Sequence, residues 1–214
     1  MTFLYSGLRR HNVSSQREAA RMKDSLFETD SGWHARELVA ADVPALQALF
    51  EARQDYFRLV SGQDVAVDEA AREFADLPPA EMPYRRMCII GFFDAAESIW
   101  GMASIVTDFI ARGVGHIGLF LMRDGGGAFS YAALEKWMHE VEGQQWLRLG
   151  VVIGNERAER FWERCGYLQL RERGPVEYGV QTNMLRVMMK PLAGGTWSEY
   201  LALVERDRPE ASPI

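Results

Sequence analysis

The chain is poor in cysteine: Cys88 and Cys165 are the only two in 214 residues. That excludes a disulfide-stapled scaffold. One lies in an apolar run and the other on an apolar helix face, so both read as buried, reduced thiols. The four histidines are scattered and no Cys/His cluster has metal-ligand spacing, so no metal is expected. Long apolar runs are also missing. The longest, Met87–Phe93, is far too short to cross a bilayer, and no secretory apolar core stands at the start. An excess of positive charge is lacking too: the net charge is -6, which argues against a nucleic-acid partner. The expectation is a soluble, cytoplasmic protein with no membrane partner.

What is present fits one domain with tails. Residues 1–32 read as an N-terminal extension. The first 23 hold five Lys/Arg against one acid, the bias of a targeting peptide or of an extension from an early start codon with Met22 as the true start. The second reading is preferred. Residues 33–192 read as a single domain, and residues 193–214 as a tail with a short helix near Trp197–Glu205.

Within the domain, His34–Leu38 reads as a strand. A helix follows, capped by Asp42 with Pro44 in its first turn. Gln54–Val60 and Asp68–Leu77 read as further helices, the latter stopped by Pro78-Pro79. Strands are expected over Arg86–Phe93, Ser98–Thr107 and His116–Met122, then a helix over Ser130–Glu142 whose buried face includes Val141. A strand over Trp146–Ile153, a helix over Glu156–Cys165 and two strands near Leu168–Arg173 and Thr182–Met189 complete the domain. Helices between strands imply parallel crossovers, and the other strands look hairpin-connected, so the fold class is a mixed α/β sheet.

Two segments carry chemistry. Arg123–Ala128 reads R-D-G-G-G-A between a strand and a helix. Glycines let backbone approach a phosphate, and the amides of Gly125, Gly126, Gly127 and Ala128 would stand at a helix N-terminus that favours an anion. Arg123 would add a charge-assisted bond. A dinucleotide fingerprint is absent, as is the P-loop lysine. The second segment, Asn155–Tyr167, reads N-E-R-A-E-R-F-W-E-R-C-G-Y. Asn155 is placed to cap its helix and to bond an amide-rich ligand such as pantetheine.

With these motifs placed, residues 115–191 resemble the cofactor-binding half of the GNAT superfamily of acetyl-CoA-dependent N-acyltransferases. Arg123–Ala128 matches the family's Q/R-x-x-G-x-G/A pattern. Asn155, Ala158, Phe161, Trp162, Gly166 and Tyr167 match its N-x-x-A-x-x-F-Y-x-x-x-G-F signature. The likeness extends back to about residue 34. It implies a sheet whose parallel fourth and fifth strands, His116–Met122 and Trp146–Ile153, splay apart at a bulge. Acetyl-CoA would lie in the gap against the backbone of Phe120, Leu121 and Met122, with Phe161 and Trp162 nearby, and an amine would attack it directly. Two departures stand out. The turn after Met122 is short, and Trp162 occupies the position where many members carry a tyrosine acid, a role that indole cannot fill.

The resemblance also leads to candidate residues for the acceptor side. His116, Glu177 and Tyr178 are candidate proton acceptors. Tyr56, Asp64 and Tyr84, in the segment that varies across the family, are candidate acceptor contacts. The function expected is acetyl transfer to a small-molecule amine. The alternatives are a CoA-binding protein with little catalysis and an enzyme acting on a protein N-terminus or lysine. A homodimer is also expected.

Overall fold

The computed structural model describes residues 25–211. Eight strands form one sheet: β1 (Phe27–Glu28), β2 (His34–Glu37), β3 (Arg86–Phe93), β4 (Ile99–Thr107), β5 (Val114–Met122), β6 (Trp146–Val152), β7 (Leu168–Tyr178) and β8 (Gln181–Pro191). Their order is β1-β2-β3-β4-β5-β6-β8-β7. Among the described residues only β5 and β6 pair in parallel; every other neighbour is antiparallel.

Side chains alternate between sheet faces, and each face is covered by its own helices. On β3, Ile89 and Phe93 turn to α1 (Val43–Glu51), α2 (Gln54–Ser61) and α3 (Glu69–Ala75), packing with Leu46, Phe50 and Phe57. Cys88, Ile90 and Phe92 turn to the opposite face, where α4 (Gly127–Glu140) and α5 (Glu156–Arg164) lie. Helix α4 buries Tyr131, Leu134, Trp137 and Met138 there. Their spacing puts them on one helical stripe, and each large apolar side chain so buried stabilises the fold by about 1.5–3 kcal/mol.

Several boundaries differ from the sequence expectation, each for a local reason. Residues 25–32 join the domain. Strand β1 pairs with β2, and Leu26, Phe27 and Trp33 pack on the core. The charge bias that suggested a targeting segment falls on residues 1–23, outside the described residues. Because β1 comes first, the strand expected as fourth is β5. Asp42 does not cap α1 with its side chain. Its carboxylate accepts instead from both Arg36 Nη atoms at 2.8 Å and from the Val39 amide at 2.8 Å. Helix α4 starts three residues before Ser130, because Gly126 at φ +72° takes the N-cap position. Val141 falls beyond the helix end and is 67% exposed. Strand β7 runs on to Tyr178, so Glu177 and Tyr178 are strand residues.

The sheet splits beside β5. Pairing of β5 with β6 runs from Val114–Trp146 to Ile117–Leu149 and stops. On its other edge, Ile117 faces Ile105 and Leu119 faces Ser104, which leaves Gly118 with no opposite residue. That extra residue is a bulge, and it bends β5 away from its neighbour. The gap therefore opens where the bulge lies.

The C-terminal segment packs on its own domain. Helix α6 (Trp197–Leu203) and the 3₁₀ turn Glu205–Asp207 follow β8. Tyr200 and Val204 are buried against Val114, Trp146, Leu170 and Met189. Trp146 Nε1 donates to the Thr196 carbonyl at 2.9 Å.

Candidate functional site

A cavity of about 670 Å³ occupies the split and reaches α2 and α3. Its inner part is lined by Gly118, Leu119 and Phe120 of β5, by Gly150 and Val151 of β6, and by Trp162 of α5. From Gly118 to Met122, β5 has no partner on the β6 side. Backbone groups facing that side therefore have no strand to bond and are available to a ligand.

At the end of β5 the chain turns through Gly125 and Gly126, both at positive φ, into α4. The amides of residues 125–129 make no hydrogen bond within the described residues. The first helical amide to find a backbone acceptor is Ser130, bonded to the Gly126 carbonyl at 3.0 Å. Consecutive unbonded amides at the N-terminus of a 14-residue helix form an anion cradle. A side chain at Gly126 is ruled out, since a Cβ there would lie 2.9 Å from the Trp33 ring. Arg123 is exposed, with its guanidinium 5.9 Å from the Trp100 ring centre. The Met122 carbonyl accepts a bond from Arg53 of the α1–α2 turn. Leu121 and Met122 bury their side chains in the core, so only their backbone can meet a ligand.

Asn155 caps α5: its Oδ1 accepts from the Ala158 amide at 3.2 Å. Its side-chain NH₂ has no such partner among the described residues, and the residue lines the cavity with Ala158. Phe161 stacks on Phe120 with centroids 5.9 Å apart and lies under Gly127. Trp162 is buried among Phe120, Phe161, Tyr131 and Tyr167. It is a packed wall rather than a proton donor.

The outer part of the cavity gathers polar groups. Tyr56 of α2, Glu69 and Glu73 of α3 and Asp76 are among them. Burial raises the pKa of Tyr56, and Tyr178, Glu73 and Glu69 raise it further. Burial also raises that of Glu73; the nearby Ser104 hydroxyl opposes this and the acids Asp76 and Glu69 add to it. His116, Arg148, Arg173 and Tyr178 line the cavity as well. His116 Nδ1 lies 3.1 Å from the Arg148 carbonyl, and its ring stacks on Phe109 at 4.7 Å. Burial, then the Arg148 charge, pushes its pKa down to about 3. It is neutral at working pH and a weak proton acceptor. Burial raises the pKa of Tyr178, with Arg173 opposing, so it keeps its proton.

Of the residues singled out from sequence, His116, Tyr178, Tyr56, Phe120, Asn155 and Trp162 meet at the cavity. Glu177, Asp64 and Tyr84 do not. Glu177 is exposed on β7, Asp64 is exposed and paired with Arg58, and Tyr84 is 38% exposed. Glu73, Ser104, Arg148 and Arg173 were not singled out. The one sequence signal for the first is Glu69–Glu73, an i,i+4 pair of acids on a short helix. Among the described residues no group of His, Cys, Asp and Glu could hold a metal ion, and no helix is long and apolar enough to cross a membrane.

The sequence matches no family model and no curated protein. Solved structures do match. An acetyltransferase from Thermus thermophilus is 19% identical with a TM-score of 0.59, covering 75% of this chain and 97% of its own. The spermidine N-acetyltransferase of Vibrio cholerae, solved with CoA and spermine, is 13% identical with a TM-score of 0.57, covering 76% and 96%. A GCN5-related N-acetyltransferase from Kribbella flavida is 18% identical with a TM-score of 0.52, covering 75% and 98%. With its parallel pair β5–β6 split at a bulge and its unbonded amides after β5, the chain has the fold of the GNAT superfamily of acetyltransferases.

Proposed function

We propose that the chain transfers an acetyl group from acetyl-CoA to the amine of a small molecule by direct attack. The observation that carries this is one continuous cavity. It runs from the split between β5 and β6, beside Asn155, to an outer chamber lined by Glu69, Glu73 and Asp76. The amides of residues 125–129 fit a pyrophosphate, and the unpaired edge of β5 with the Asn155 NH₂ fits an amide-rich arm. Acetyl-CoA, when bound, would supply a thioester as the acyl donor. The free N–H groups of β5 beyond Ile117 are the donors available to steady negative charge on an acyl oxygen.

An alkyl amine reaches the site as an ammonium ion and must lose a proton before it attacks. Glu73 is the group suited to take it: it is a carboxylate with a raised pKa, on the cavity wall, beside two other acids that favour a cation. Tyr178 remains protonated and can supply a proton to a leaving thiolate. A small acceptor is favoured over a protein chain because the outer chamber is roofed. The β7–β8 hairpin is tied to α2 by the Val180 amide on the Ser61 carbonyl at 3.0 Å and by Asn183 Nδ2 on the Val60 carbonyl at 2.9 Å.

Calorimetric titration of the full chain with acetyl-CoA, CoA and NADH tests this reading, followed by thiol release with an amine panel. Acetyl-CoA binding without NADH binding, with amine-dependent thiol release, is expected. No binding of acetyl-CoA would overturn the reading.

A further inference from the structure

Arg173 stands on the wall of the outer chamber without a counterion among the described residues. Its Nε is buried and bonds nothing, and its guanidinium makes no hydrogen bond or ion pair among the described residues. Arg148, on the same wall, is matched by Asp207. Around Arg173 the surroundings are cationic as well. Arg206 is held below the ordinary arginine pKa by burial first, then by Arg173 and Arg148, with Asp207, the partner of Arg148, opposing. Glu69, Glu73 and Asp76 line the same cavity, but none of them pairs with Arg173. A partly buried cation among other cations is unfavourable unless an anion joins it. Nothing in the described protein provides that anion, whereas the chamber next to it can hold a small molecule.

From this we infer that the acceptor carries a carboxylate as well as its amine: it is an amino acid, held with its carboxylate on Arg173 and its amine toward Glu73. The inference rests on the acetyl-transfer reading of the same cavity. A guanidinium fork matches a carboxylate in two parallel hydrogen bonds. One uncompensated positive charge matches a monoanion and would leave part of a phosphate dianion unneutralised. The carboxylate contact also sets orientation: anchoring that group on Arg173 fixes which side of the α-carbon presents the amine. Tyr178 and His116, neutral groups of the same cavity, do not compete for the anion.

The test uses the full chain saturated with acetyl-CoA and follows thiol release. The standard L-amino acids are compared with their decarboxylated amines and with O-phosphoethanolamine. At least one amino acid should be acetylated with a kcat/KM clearly above that of its decarboxylated partner. Arg173→Gln should raise the KM for that amino acid by about 30-fold or more, as for loss of one partner of a buried charge pair. Its kcat should change little, and the parameters for the decarboxylated amine should not move. Arg173→Lys, which keeps the charge but not the fork, should fall between, and it decides the matter where the Gln variant does not fold. Equal use of the two members of each pair overturns the inference. So does preference for the phosphorylated amine, an equal effect of Arg173→Gln on both members, or no acetylation of any amino acid while acetyl-CoA binds. If acetyl-CoA itself does not bind, the acetyl-transfer reading fails separately. Direct titration with the amino acids then decides: binding lost in Arg173→Gln supports the carboxylate site, and no binding overturns it.

Discussion

Arg148 and Asp207 meet across 59 residues of sequence in a two-pronged ion pair, Nε to Oδ2 at 2.6 Å and Nη2 to Oδ1 at 3.0 Å. Both are buried, and Tyr200 donates a further bond to Asp207 at 2.6 Å. The C-terminal turn thus neutralises a guanidinium that forms part of the cavity wall. It also supports His116, which bonds to the Arg148 carbonyl.

Removing the carboxylate should leave that guanidinium buried and uncompensated. Asp207→Asn is expected to lower unfolding free energy by about 3–5 kcal/mol, read from urea melts at neutral pH. Burial alone would raise the Asp207 pKa, but the hydrogen bond and charge of Arg148 outweigh it and lower the value. The stabilisation from this group is therefore complete above the unfolded value of about 4 and is lost as pH falls below it. The acid-side loss should shrink in the variant. A neutral-pH melt identical to that of the parent chain would show the pair to be energetically silent.

The phosphate cradle can be tested without damaging the fold. Gly126 is the wrong position, because its φ of +72° and the nearby Trp33 ring forbid a side chain. Gly127 is the right one. It begins α4, and a Cβ there would meet Phe161 at an ordinary 3.5 Å. Gly127→Asp places a negative charge at the helix N-terminus, which should leave stability unchanged or raise it by about 0.5 kcal/mol. The same charge should weaken acetyl-CoA binding about tenfold or more, since ~1.4 kcal/mol of repulsion is enough for that. Unaltered affinity in calorimetry would mean that the pyrophosphate lies elsewhere.

Glu73→Gln keeps the shape of the cavity wall and removes the proton acceptor. The expected result is a fall in kcat of about 10²- to 10⁴-fold. Because burial raises the Glu73 pKa, the acid limb of kcat/KM should lie above the ordinary carboxylate value of about 4.3. Below that limb Glu73 is protonated and cannot accept, so activity should fall with decreasing pH; in the variant the limb should vanish. Survival of both rate and limb would point to a water chain or another group as base.

The sheet, its helices, the glycine turn after β5 and the Asn155 cap were legible in the sequence because they are local. The apolar run Met87–Phe93 is a strand wherever it is placed in the sheet. The glycines after Met122 can only turn, and Asn155 caps the helix that follows it in the chain. The short strand β1 was not legible, since two residues carry no periodicity and its pairing with β2 is what defines it.

What the sequence by itself determined is thus the set of elements and the residues that lie next to one another along the chain: the R-D-G-G-G-A turn, the Asn155 cap and the apolar stripe of α4. The outer chamber proposed for the acceptor was decided only by tertiary structure. Glu73 and Arg173 come from α3 and β7, and Asp207 reaches Arg148 from the end of the chain. Asp64 and Glu177 are the acids the sequence singled out, yet both face solvent. A carboxylate or guanidinium has its chemistry set by burial and by its neighbours, and these come from distant segments that only packing brings together.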